Sequence, residues 1–391
     1  MVQSPVTLLR KRDKRKAVVT FSELLFDLIY VFAVTQLSHY LLHHLNWEGL
    51  IRETVMWLAV WLAWQHTIWV TNWFDPETKA IRILLFVIMV IGLFMAAAIP
   101  EAYEQRGFIF AGSYVSLQIG RTGYVLFLLR GRHSLSANFE RIFGWFLISA
   151  FFWIYGAFLE GNFRLIYWII AVFCDYMAPI VRFYLPFLGS SDAKKEWTIE
   201  GQHLMERCQL FVIIAYGETI AMIGSTLSDI SDWNIYAIMA VIVAFIGNLA
   251  MWWIYFDASS EAGNRKIQKT ENPGLLGLKY NFIHVILVGA LIISAVGDRL
   301  VIVQPLGEIT DGAAFILILG PIIYLIVNLV YKRVTCHHLP LSHLLAILFF
   351  IVSIPFVYNR SILAINTISM AIFVFIILFE IICPGQKCSS I

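Results

Sequence analysis

Long apolar runs broken by short polar stretches recur along the whole of this sequence. Twelve of them read as membrane-crossing helices: 20–41, 51–73, 81–99, 108–129, 140–159, 164–188, 204–226, 234–256, 276–297, 312–331, 341–358 and 362–383. A hydrocarbon core about 30 Å thick calls for about 20 apolar residues at about 1.5 Å each, which is the length these runs supply. The run at 341–358 is the weakest, being short with Pro355 near its end. The pattern predicts an all-α fold, a polytopic transmembrane helical bundle.

Composition changes the picture only by removing soluble alternatives. The chain is 60% hydrophobic and 14% charged, with a mean hydropathy of +0.76, against about 25% charged residues in ordinary soluble domains. Residues 1–16 are polar and the apolar run after them is too long for the core of a secretory signal, so a retained first helix is expected. Of the 28 Lys and Arg, 21 fall in the loops on the N-terminal side of the membrane and 5 on the other, with Arg121 and Arg182 inside runs. By the positive-inside rule both termini are cytoplasmic. The run KRDKRK at 11–16 then fixes orientation and touches lipid headgroups. A lipid bilayer is the partner expected, and nucleic acid is not.

The two halves share landmarks. Glu206 stands opposite Glu23, Phe256–Asp257 opposite Phe74–Asp75, and Gly312, Gly320 and Tyr324 opposite Gly112, Gly120 and Tyr124. This points to two parallel six-helix repeats. The predicted organisation is a basic N-terminus (1–16), a first half (17–188), a cytoplasmic linker (189–202), a second half (203–383) and a short tail (384–391). An even number of helices per half gives both the same orientation, with the working cavity expected between them.

FSELLFDLIYVFAVTQL at 21–37 followed by HLMERCQLFVIIAYGETI at 203–220 resembles the bacterial low temperature requirement A (LtrA) family, over essentially the whole chain. The resemblance implies a multi-pass protein of the bacterial cytoplasmic membrane, linked by its name to growth in the cold, and supplies no substrate or reaction. Glu23, Asp27 and Gln36 match the first motif; His203, Glu206, Arg207, Gly217 and Glu218 match the second. Cys208–Gln209 departs from the aromatic or small residue and Gly expected there.

Charged residues in these runs carry the functional question, since each costs about 2.5–3.5 kcal/mol at the centre of a spanning helix. Glu23, Asp27, Glu206 and Arg207 lie near the cytoplasmic ends of the first and seventh runs. Arg207 cannot pair cleanly with its own neighbour, which points about 100° away, and could reach Glu23 or Asp27 instead. The group reads either as a charge cluster locking the halves together or as part of an ion path. Glu218, Arg121, Asp175, His66 and His284 lie deeper and form a candidate ion or substrate path, with Gly217 leaving room beside Glu218. Buried Arg121 calls for an anion, and Glu218 and Asp175 are the candidates. Asp175 and Arg182 share a face but stand about 10 Å apart along the axis.

Other signals are weak. His39, His43 and His44 lack a third ligand of clear spacing, Cys336, His337, His338 and His343 read as ordinary polar residues, and no metal or cofactor is expected. The placement of the five cysteines argues against structural disulfides. No nucleotide loop, nucleophile elbow or zinc-protease helix is present, so an enzyme is the less favoured reading. Three readings remain: a secondary transporter or ion pathway for a small molecule or ion, an intramembrane lipid-modifying enzyme using the Glu23–Arg207 cluster, or a scaffold or sensor. The oligomeric state is not legible.

Overall fold

The computed structural model describes residues 8–10, 18–129, 133–257, 259–336 and 339–383. The basic run 11–16, His337, His338 and the tail 384–391 lie outside the described residues. Among the described residues each of the twelve apolar runs becomes a helix, and one further helix joins them. In chain order they are α1 (Phe21–His43), α2 (Trp47–Trp73), α3 (Lys79–Ala98), α4 (Gly107–Leu129), α5 (Leu135–Ala157), α6 (Gly161–Ile180) and α7 (Gly201–Asp229). There follow α8 (Ile235–Phe256), the additional α9 (Ser259–Lys269), α10 (Pro273–Val303), α11 (Asp311–Cys336), α12 (Leu341–Ser353) and α13 (Ile362–Ile382). Among the described residues there is no strand, only isolated bridges such as Leu9 to Phe74.

Local chemistry fixes several ends. The Asn234 Oδ1 accepts from the amides of Tyr236 and Ala237, each at 3.0 Å, and starts α8. Ser361 does the same for α13 through the Ala364 amide at 3.3 Å. Pro273 opens α10, where its missing N–H leaves no helical bond unmade.

Eight candidate spans are both long and apolar enough to cross a bilayer, among them α1, α3, α6, α7, α10, α11 and α13. The more polar α2, α4 and α5 fall outside that group, and α12 is too short. Exposed stripes support a lipid surround. On α3 the side chains of Ile83, Phe86, Val87, Val90, Leu93 and Phe94 all face outward. Their three-and-four spacing makes one continuous apolar face, which water would not tolerate.

Three expectations need correction. The sixth run was expected to remain helical to 188, but α6 stops at Ile180. Pro179 weakens its last turn, and Arg182 and Phe183 turn left-handed at φ 55° and 52°. Exposed Arg182 therefore shares no helical face with Asp175. The ninth run was expected to end at 297, but α10 continues to Val303 and carries Asp298 inside it. Finally, Cys174, Cys208 and Cys383 are free, whereas Cys336 is disulfide-bonded.

The chain forms two compact units, each with its own interior. The first comprises residues 1–40, 51–207 and 270–279. Here α3 to α6 pack in sequence order, around buried Trp61, Trp64, Trp153 and Trp168. The start of α10 lies tight against the segment before α7. A Cβ on Gly274 would stand 2.4 Å from the Trp197 carbonyl oxygen, so only glycine fits. The second unit comprises 41–50, 208–269 and 280–391. In it α8 packs on α13, and α12 on both α11 and α13. Its aliphatic core includes Ala240, Ala244, Val301, Ile302 and Leu317. The polar helix α9 belongs here too, with Ile267 buried and Glu261 paired to Arg265 at 2.9 Å on its outer side.

Candidate functional site

The first unit holds a closed ionic cluster. Glu23 and Asp27, one turn apart on α1, both have 0% exposure, as do His203 and Arg207 on α7. Arg207 places one guanidinium nitrogen 3.1 Å from Glu23 Oε1 and another 2.5 Å from Asp27 Oδ1. Glu23 also takes Arg10 at 3.2 Å, His203 Nε2 at 3.2 Å and the Thr20 amide at 2.9 Å. Asp27 takes the Trp64 indole N–H at 2.8 Å.

The protonation of His203 follows from its neighbour. Asn72 Oδ1 accepts from the Glu200 amide at 2.7 Å, so Asn72 Nδ2 faces the Glu200 carbonyl at 3.0 Å and His203 Nδ1 at 3.2 Å. Nδ1 must therefore accept, which leaves the ring proton on Nε2, donated to Glu23. Two carboxylates and two guanidinium groups then sum to zero with a neutral imidazole. Glu206 is only half-buried, as is Gln36 on α1. The cluster lies wholly within one compact unit.

A second feature of the same unit is less balanced. Arg121 on α4 is 2% exposed. It donates to the Ala63 carbonyl at 3.2 Å, to Thr67 Oγ1 at 3.1 Å and to Gln118 Oε1. Every one of these acceptors is neutral, and Phe146 covers the guanidinium at 5.9 Å. Asp175 does not pair with it. Instead Gln118 Nε2 donates to the Tyr114 hydroxyl at 2.9 Å, which donates to Asp175 Oδ2 at 2.8 Å, with the Trp153 indole donating to the same oxygen at 3.1 Å. Arg121 and Asp175 are thus joined through two neutral residues.

Arg121 borders a cavity of about 30 Å³, lined also by Gln65, His66, Trp69, Trp73 and Trp197. At about 10–15 Å³ per water, this holds about two. His66 Nε2 and the Trp69 indole N–H have no hydrogen-bond partner there.

In the second unit Glu218 is buried on α7, and neighbouring Gly217 is exposed with nothing within 4 Å of a built Cβ. Gly217 therefore leaves open space and seats no second helix. His284 is locked: its Nδ1 lies 2.7 Å from the Tyr280 carbonyl and must donate, so Nε2 accepts from the Tyr255 hydroxyl at 2.7 Å. Cys208 donates to Asn281 at 3.5 Å and Gln209 to the Ser260 carbonyl at 3.1 Å, giving polar contacts to the residues that depart from the family pattern. Among the described residues no group of three or more His, Cys, Asp or Glu is placed to hold a metal ion.

Compared with known families, residues 18–379 match the model described as bacterial low temperature requirement A protein. The chain belongs to the LtrA family. An uncharacterized protein of Rhizobium meliloti (strain 1021) is 35% identical to it over 379 residues, which is 95% of this chain and 92% of that relative. No solved structure matches it.

The geometry gives the two LtrA segments quoted above a shared physical role, because Glu23 and Asp27 from the first meet His203 and Arg207 from the second. Sequence reasoning missed Arg10, Trp64 and Asn72 in this LtrA cluster. Arg10 is hidden in a basic stretch that reads as an orientation signal, while the other two are neutral. It also missed Lys332 and Glu380 of the second unit, a buried pair at 2.8 Å supported by Ser342 at 2.9 Å. The carboxylate of Glu380 inside an apolar run was the available signal.

Proposed function

We propose that this LtrA protein is a secondary transporter or ion pathway of the bacterial cytoplasmic membrane, with both termini cytoplasmic and its two six-helix halves arranged as parallel repeats. Arg121 is the group to which an anionic ion or small solute comes, with His66 beside it. Asp175 acts through Tyr114 and Gln118, and Glu218 and His284 are the further candidates in the second unit. Growth in the cold is the physiological process this activity would support. The observation carrying the reading is the state of Arg121: a buried cation that meets only neutral acceptors and borders a cavity. Intramembrane charges kept against their insertion cost mark ion and substrate pathways. The charge-balanced Glu23–Asp27–Arg207 cluster, by contrast, is fully buried and meets its own counter-ions.

The test is flux in vesicles reconstituted with purified protein, using inorganic anions and alkali cations in turn. Wild-type vesicles are expected to exceed empty ones, and Arg121→Gln vesicles to fall to background while the variant keeps its helical spectrum. A wild type that moves none of these ions overturns the reading. That outcome would favour a scaffold role, which the small size of the cavity also supports.

A further inference from the structure

The second unit contains a cavity of about 20 Å³, room for one water or one bare small ion. It lies among α8, α10, α11 and α13 and is lined by Asn248, Ser294, Asp298, Pro321, Asn366 and Ser369. Its polar lining brings oxygens of Asp298, Asn248, Asn366, Ser294 and Ser369 together with the amide nitrogens of the two asparagines. Asp298 is 7% exposed, and its carboxylate accepts from Asn248 Nδ2 at 2.6 Å and Asn366 Nδ2 at 3.3 Å. Among the described residues no cationic side chain pairs with it.

Two further observations point to a missing partner. Asn248, 5% exposed, spends its amide hydrogens on Asp298 and on the Ala244 carbonyl, which leaves its Oδ1 without a donor. Ser294 Oγ is likewise buried without a partner. Pro321 adds a third source of oxygen. It has no amide hydrogen, so the Leu317 carbonyl loses its usual donor one turn later, and both residues line the cavity. Buried acceptors left unmatched in this way are expensive.

We propose that these oxygens form a binding site for a bare monovalent alkali cation, sodium being the ion whose size suits the space. Hard cations take oxygen ligands, and helices interrupted within a membrane offer carbonyls to sodium in this manner. The single carboxylate balances one positive charge. A divalent ion would remain unneutralised, since among the described residues no second carboxylate lines the cavity. The site goes beyond the transport reading and does not require it, because binding can be measured on protein that moves nothing.

The experiment is equilibrium binding of radioactive sodium to the purified full chain in detergent, with choline chloride holding ionic strength constant. Wild type is expected to bind about one sodium per chain saturably. Asp298→Asn should abolish that binding, and Ser294→Ala, a change small enough to keep the fold, should weaken it by about tenfold or more. Thermal unfolding in choline chloride checks that each variant is folded, and sodium should raise the midpoint of wild type but not of Asp298→Asn. No saturable binding by folded wild type overturns the proposal, as does equal binding by folded Asp298→Asn or folded Ser294→Ala. Failed flux with intact sodium binding would remove the transport reading alone.

Discussion

Replacing Arg207 by Met tests whether the ionic cluster holds the first unit together. Met keeps much of the side-chain volume and removes the charge. Glu23 would keep Arg10 at 3.2 Å and His203 at 3.2 Å. Asp27 would keep only the Trp64 indole at 2.8 Å, and the cluster would carry an uncompensated negative charge at 0% exposure. Two unit charges 4 Å apart attract by about 4 kcal/mol at an effective dielectric of about 20, and Arg207 makes two such contacts. Part of that attraction only offsets desolvation, so the expected loss is about 3–5 kcal/mol, the usual cost of stripping one partner from a buried pair. The assay is equilibrium unfolding in mixed micelles of rising denaturing-detergent fraction, followed by tryptophan fluorescence. A second substitution isolates the cause. Asp27→Asn in the Arg207→Met background restores neutrality and still accepts from Trp64, so the double variant should be more stable than Arg207→Met alone by about 2 kcal/mol. A loss below about 1 kcal/mol for Arg207→Met, the level of exposed pairs, would refute the reasoning. Strict additivity in the double variant would refute it equally.

Three further outcomes follow from the geometry. Lys332→Met leaves Glu380 buried with only the Ser342 and His343 contacts and should destabilise by about 3–5 kcal/mol in the same assay, with recovery when Glu380→Gln is added. Gly274→Ala drives a Cβ to 2.4 Å from the Trp197 carbonyl and should cost about 1–3 kcal/mol, whereas Ala at open Gly217 should cost nothing through packing. Tyr114→Phe removes the hydroxyl that joins Gln118 to Asp175; on the transport reading, vesicle flux should fall while detergent stability drops by no more than about 1–3 kcal/mol.

The helices were legible because a bilayer imposes length and apolarity on any segment that crosses it; eight spans carry both, and α2, α4, α5 and α12 fall short in one or the other. Their ends were less so. Residues 181–188, VRFYLPFL, are nearly as apolar as α6, and hydropathy cannot see the left-handed turn at Arg182 that stops the helix. Helix α9 was missed because SSEAGNRKIQK is polar and reads as a loop, although Glu261 and Arg265 sit at helical spacing. Among site residues, Glu23, Asp27 and Arg207 stood out because a charge in oil demands a partner. Asp298 did not, since the apolar run ended one residue before it and assigned it to a loop. Asn72, Asn248 and Asn366 carry no charge, and their roles depend on which atoms tertiary packing brings to them. That information is absent from a linear pattern.

Charge balance separates the buried groups into two kinds, and the distinction bears on where function resides. Glu23, Asp27, Arg10 and Arg207 cancel one another in charge, as do Lys332 and Glu380 beside Ser342. Such sets gain from being closed, because each member would be costly alone and admitting water would weaken every contact. Arg121 and Asp298 differ. Each is met only by neutral partners, and each borders a small cavity. A purely structural role would be filled at less cost by an apolar side chain at either position. The uncancelled charge at each place gains most when an ion of opposite sign arrives, which gives Arg121 and Asp298 a stronger claim to ligand binding than the more conspicuous acidic pair on α1.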